Sequence, residues 1–148
     1  MTDVPIRRIG RMPRWQCLPS HIILAVCAFS GLLYFVRHEL HIELPVMTAR
    51  HFLVTHGVSS AFALLMFGAV LPVHLRSAWI AKRNRLSGTL MLALMSVLML
   101  SGLMLYYGSE EVRDSVVLTH WIAGFIAFAV FALHLSLGRR SLPASTIH

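Results

Sequence analysis

The chain has 148 residues, of which 57% are hydrophobic and only 13% charged, with a mean hydropathy of +0.71. A soluble domain carries roughly a quarter charged residues, so the composition excludes an ordinary soluble globular class and selects a membrane class. The net charge of +7 is sorted between the ends of apolar runs instead of forming one basic patch, which argues against a nucleic-acid partner.

Four apolar runs stand out, at about residues 19–37, 51–75, 86–107 and 116–137. Each reaches the length of about 20 residues that a spanning helix needs, and helices satisfy their own backbone polar groups in lipid. The expected fold is all-α, a transmembrane four-helix up-down bundle forming a single membrane domain over residues 1–148.

Span one follows Arg7, Arg8, Arg11 and Arg14 and is expected to begin after Pro19, a residue suited to a helix's first turn. No small-x-small cleavage site follows it, and the run passes directly into Tyr34, Phe35 and Arg37, so an uncleaved span is expected. Cys17 and Cys27 fall at its edge and middle and read as packing residues, not a disulfide framework. The next loop contains Glu39 and Glu43 and is broken at Pro45. Span two ends near His74, and Arg76, Lys82, Arg83 and Arg85 follow. Span three starts at Leu86 and ends at Tyr106 and Tyr107, whose rings suit the membrane interface. Glu110, Glu111 and Asp114 precede span four, and Arg139 and Arg140 close it. Ten of the thirteen basic residues thus share one side, and five of the six acids the other. The positive-inside rule places both termini in the cytoplasm, with the basic residues holding lipid headgroups.

A faint duplication runs through this plan. "SGLLYF" near the end of span one is similar to "SGLMLYY" ending span three. Thr55-His56 recurs as Thr119-His120, and the His-Leu at His74 as that at His134.

The chemistry lies in the histidines. His120 and His134 stand fourteen residues apart in an uncharged apolar stretch. Fourteen residues of α-helix make four turns less about 40° and climb about 21 Å, so both imidazoles face one side near opposite margins of the bilayer. Ionisable side chains inside a membrane are expensive and usually mark function. Depth sorts the others: His56, and the alternate His51, belong with His120 near the outer surface, while His21, and the alternate His74, belong with His134 near the inner one. His38, His41 and His148 read as interfacial or solvated residues. His51 and His56 lie about 140° apart on a helix; His56 is preferred because Gly57, Ser59, Ser60 and Ala61 around it leave space. His74 lies eighteen residues from His56, on the same face of a regular helix.

Neutral imidazole is a common metal ligand, and helices facing across a bundle commonly hold cofactors. A flat macrocycle needs room, which small residues supply. Ser87-Gly88 and Ser101-Gly102 repeat the fourteen-residue interval on span three, placing Gly88 near the depth of His134 and Gly102 near that of His120. Gly31, Gly57, Gly68 and Gly124 add further gaps, helix packing being the alternative role for every such glycine. "HELH" at residues 38–41 is one residue short of the metalloprotease spacing. Met91, Met95 and Met99 form a stripe that suits packing better than axial ligation. No phosphate loop, nucleophile elbow or acidic pair lies within the spans.

An arginine, then a histidine opening span one with Ser/Thr-Gly ten residues on, an early histidine in span two and a pair fourteen apart in span four make a pattern. Here it is Arg14, His21 with Ser30-Gly31, His56, and His120 with His134. This resembles the bacterial cytochrome b561 family, related to the diheme cytochrome b subunits of formate dehydrogenases and nickel-iron hydrogenases, over about residues 14–140. The resemblance implies two b-type haems, His21 with His134 on the inner iron and His56 with His120 on the outer one. It also implies a bacterial cytoplasmic membrane, quinone as a substrate and a redox partner subunit. The family's tryptophan after the span-one histidine is Ile22 here, although Trp121 follows His120. Arg50, Arg113 and Arg139 are candidates for pairing with haem propionates. Two other classes compete: a histidine-based metal transporter, and a cofactor-free membrane anchor or assembly protein.

Overall fold

The computed structural model describes residues 14–42, 47–80, 82 and 84–140. Arg7, Arg8, Arg11, Glu43, Pro45, Arg83 and His148 lie outside the described residues, as do the side chains of Arg14, Arg139 and Arg140. The described chain is all-α: α1 (Arg14–His38), α2 (Ala49–Val70), a π-helical turn (Leu71–Leu75), α3 (Arg76–Ile80), α4 (Arg85–Tyr107), a 3-10 turn (Glu110–Val112) and α5 (Arg113–Arg140). It forms two compact units, which divide between Ser77 and Ala78. In the first α1 packs on α2, and in the second α4 packs on α5.

Four segments, Trp15–His38, Ala49–Val70, Arg85–Tyr107 and Glu110–Gly138, are long and apolar enough to cross a membrane. The burial pattern agrees with lipid as the solvent. Phe62, Leu65, Leu100 and Phe128 are all more than half exposed, while Gln16, Ser20, Ser30, Ser59, Ser87 and Ser101 are buried. In water each exposed apolar side chain would forgo the gain of about 25 cal/mol per Å² that burial brings. In lipid that penalty vanishes, and small polar residues let helix backbones approach.

Each long helix presents one seam whose members alternate four and three residues apart. On α1 it is Gln16, Ser20, Ile23, Cys27, Ser30 and Tyr34, and on α2 Phe52, His56, Ser59, Ala63, Met66 and Val70, all buried or half-buried. On α4 it is Ser87, Met91, Leu94, Leu98, Ser101 and Leu105, and on α5 Val116, His120, Ala123, Ala127, Val130 and His134, again buried or half-buried. This is the heptad geometry that keeps two helices in register along their contact. Fourteen residues are two heptads. The interval shared by His120/His134 and Ser87/Ser101 is therefore the period of the packing itself.

Element ends differ from expectation in two instructive places. Span one starts at Arg14, not after Pro19, which lies inside α1. An internal proline removes one backbone donor. That donor would have served the carbonyl of Trp15; one residue further on, Ser20 Oγ donates to Gln16 O at 2.7 Å and His21 Nδ1 bonds Cys17 O. Span two stops being α-helical at Val70 and passes through the π-turn that contains Pro72 and His74. The wider turn holds more residues per turn, so the eighteen residues from His56 to His74 no longer complete five whole turns. Between α3 and α4, Asn84 is left-handed (φ 47°) and its carbonyl accepts the Gly88 N–H at 2.9 Å. At the far end of α4, a Cβ on Gly108 would stand 2.5 Å from Met104 O, so only glycine closes that turn.

Candidate functional site

In the second unit the two α5 histidines meet the two Ser-Gly pairs of α4. His120 Nδ1 lies 2.8 Å from Ser101 Oγ and His134 Nδ1 lies 3.1 Å from Ser87 Oγ. Moving two heptads along α5 is matched by two heptads back along α4, the antiparallel register. Gly102 and Gly88 flank the two contacts. A Cβ built on them would sit 3.7 Å from His120 Cε1 and 3.9 Å from His134 Cε1, ordinary van der Waals distances. Glycine is therefore not demanded at 88 or 102 by the imidazoles alone.

The first unit repeats one of these tiers. His56 Nδ1 is 2.8 Å from Cys27 O and its ring lies on Gly31, where a Cβ would stand only 2.9 Å from both Cε1 and Nδ1. Ser30-Gly31 with His56 thus matches Ser101-Gly102 with His120, each toward the hairpin connection of its own unit. The room at His56 comes from α1 across the seam. Ser60 and Ala61 on its own helix, expected to supply space, are exposed. His51 is exposed and bonds Thr48 Oγ1 through Nδ1 at 2.7 Å.

The other tier is not repeated. Two heptads from Ser30 and His56 stand Gln16 and Val70, and Gln16 Nε2 donates to Ala69 O at 3.4 Å. The partner of His134 in the duplication is therefore Val70 by register, not His74. His21 lies beside the seam, next to Ser20, and turns its Nδ1 onto the Cys17 carbonyl one turn back. His74 sits in the π-turn with its Nδ1 atom buried.

Tautomers follow from these partners. A carbonyl oxygen only accepts, so Nδ1 of His21 and of His56 is the donor in these contacts. Sequence reasoning singled out the Ser-Gly pairs for the space of their glycines. It missed the serine hydroxyls and the Cys27 carbonyl, although serine fixed two heptads apart on the helix opposite two histidines was the available signal.

The remaining features are structural. His38 stacks on Tyr34 with ring centroids 5.1 Å apart and bonds Glu39 at 2.6 Å, so "HELH" is a solvated turn. Met91 and Met95 are half-buried while Met99 is exposed, a stripe drifting off the seam. Cys17 and Cys27 are both free thiols; ten residues of helix separate them by about 15 Å, far beyond disulfide reach. Arg113 donates to Leu105 O at 3.3 Å and faces Glu110 at 3.9 Å, bracing the α4–α5 connection. Among the described residues of either unit, no three His, Cys, Asp or Glu side chains converge to hold a metal ion.

No match emerges from comparison with known proteins. Neither a family model, a curated protein nor a solved structure is similar enough to place the chain.

Proposed function

We propose that this protein is a diheme b-type cytochrome resembling the bacterial cytochrome b561 family. It carries electrons across the cytoplasmic membrane to or from quinone, alone or as the membrane subunit of a respiratory oxidoreductase. The observation that carries this reading is the ladder of the second unit. Two histidines two heptads apart on α5 each have Nδ1 on a serine and a glycine beside the ring, and in the first unit His56 also lies on a glycine, with its Nδ1 on the Cys27 carbonyl in place of a serine hydroxyl.

The residues fit haem in two respects. The donor set is imidazole, and Nδ1 of His21 and His56 is engaged by backbone oxygen, the outer hydrogen bond that metal-ligating histidines ordinarily make. Gly88 and Gly102 leave more space beside their imidazoles than those rings require, as a flat macrocycle would need. The residues that would hold the groups are His56 with His120 for the outer haem and His21 with His134 for the inner one. His51 and His74 are the alternates. Bound haem supplies reversible one-electron chemistry at iron; the chain supplies axial nitrogens, their orientation and an apolar surround that excludes water. The up-down topology, cytoplasmic termini and quinone belong to the same proposal.

The test is a reduced-minus-oxidised spectrum with haem quantification on the purified chain. Two b haems per chain are expected, with His56→Ala and His120→Ala each removing one. Bound metal without a Soret band would instead indicate the metal-transporter class, and a colourless, metal-free protein the anchor class.

A further inference from the structure

Ser101 is held by more than one bond. Its Oγ lies 2.7 Å from Val97 O and 3.2 Å from Leu98 O, in the back-bonding geometry of a helical serine, and 2.8 Å from His120 Nδ1. A hydroxyl has one proton and two lone pairs. Two of its neighbours are carbonyl oxygens, which accept and never donate, so the proton goes to the α4 backbone. Toward His120 the oxygen has only lone pairs to offer, and the Nδ1–H of the imidazole must be the donor.

We propose that Ser101 is a positioning residue that fixes His120 as the Nδ1–H tautomer, with Nε2 as the ligating nitrogen. Ser87 does the same for His134 with a looser hold. Its distances are 3.2 Å to Asn84 O and 3.1 Å to His134 Nδ1, so its proton is less firmly committed to the backbone. Together with the carbonyls facing His21 and His56, the Ser101 oxygen gives three of the four rings an acceptor at Nδ1 that has no proton to give. The difference between them is experimental access. A peptide carbonyl cannot be removed by substitution, whereas a serine hydroxyl can.

The Ser101–His120 bond stands on the helix contact alone; the consequence for a ligated iron rests on the function proposed above. Losing the acceptor at Nδ1 makes the imidazole a poorer electron donor, which stabilises ferric iron less and raises the potential of one haem. Outer partners of this kind typically change cofactor affinity ten- to hundredfold.

The experiment uses the full chain in detergent, reduced and labelled with ¹⁵N-histidine, as Ser101→Ala, Ser101→Thr and Ser96→Ala. Ser96 donates to Leu92 O at 2.9 Å in the same back-bonding fashion and serves as the control. In the parent chain His120 should show a protonated, slowly exchanging Nδ1. Ser101→Ala should speed that exchange at least tenfold and raise one of two midpoint potentials, Ser101→Thr should restore both, and Ser96→Ala should change neither. A parent chain with Nδ1 unprotonated, or a Ser101→Ala exchange rate equal to the parent's, would overturn the proposal. A chain isolated without haem that keeps the proton pattern would refute the proposed function and leave the assignment of Ser101 standing.

Discussion

Gly31→Ala is the sharpest perturbation of the first unit. The added Cβ would stand 2.9 Å from both Nδ1 and Cε1 of His56, against an optimum of about 3.5–4.0 Å for non-bonded heavy atoms. The ring cannot yield by a small rotation without lengthening the 2.8 Å bond to Cys27 O. Overpacking of this kind costs about 1–3 kcal/mol and an interhelical hydrogen bond within a membrane averages about 0.6 kcal/mol; alanine's helix propensity returns up to about 1 kcal/mol, leaving a net loss of roughly 1–3 kcal/mol. Gly102→Ala is the internal reference. There the new Cβ meets His120 Cε1 at 3.7 Å, and alanine gains up to about 1 kcal/mol of helix propensity over glycine. The bare fold should therefore tolerate Gly102→Ala or benefit from it. Reversible unfolding in mixed detergent micelles, followed by helix content, measures both. Equal stabilities for Gly31→Ala and Gly102→Ala would refute the reasoning, because both sites would then be equally roomy.

Further expectations follow from other contacts. Gly88→Ala and Gly102→Ala should fold normally yet each carry about half the haem of the parent chain, measured by pyridine haemochrome; full haem content in both would show that a macrocycle does not use those gaps. Pro72→Ala returns a backbone N–H to the π-turn and should move His74 toward the α-helical register, detectable as slowed amide exchange at residues 71–75. With His21 as the inner ligand, both haems survive this change, and loss of one would transfer ligation to His74. Arg85 lies over the Trp79 ring at 5.0 Å and its Nη2 donates to Trp79 O at 2.7 Å. Arg85→Ala should expose that indole and red-shift its fluorescence with little loss of stability, since exposed cation–π pairs contribute about 0.5–1 kcal/mol; an unchanged spectrum would show the pair to be inconsequential.

Much of the fold was written in composition and periodicity. Runs of about 20 apolar residues must become helices in lipid, because no other open arrangement satisfies the backbone there; the four segments followed from that alone. The meeting of His120 with Ser101 and of His134 with Ser87 was also legible, since two heptads on one helix must face two heptads on an antiparallel neighbour.

Tertiary structure decided what periodicity does not encode. Pro19 lies inside α1, whereas Pro72 sits where the helix widens into a π-turn. Both are prolines in apolar runs, and the apolar pattern by itself does not distinguish them. The space at His56 came from Gly31 on the opposite helix, since room beside a ring is set by whatever crosses it, not by its sequence neighbours. Which nitrogen of an imidazole keeps its proton was likewise fixed across the seam, by a carbonyl at Cys27 and a committed hydroxyl at Ser101. A sequence fixes the identity and spacing of such donors and acceptors, but only packing brings two of them within 3 Å.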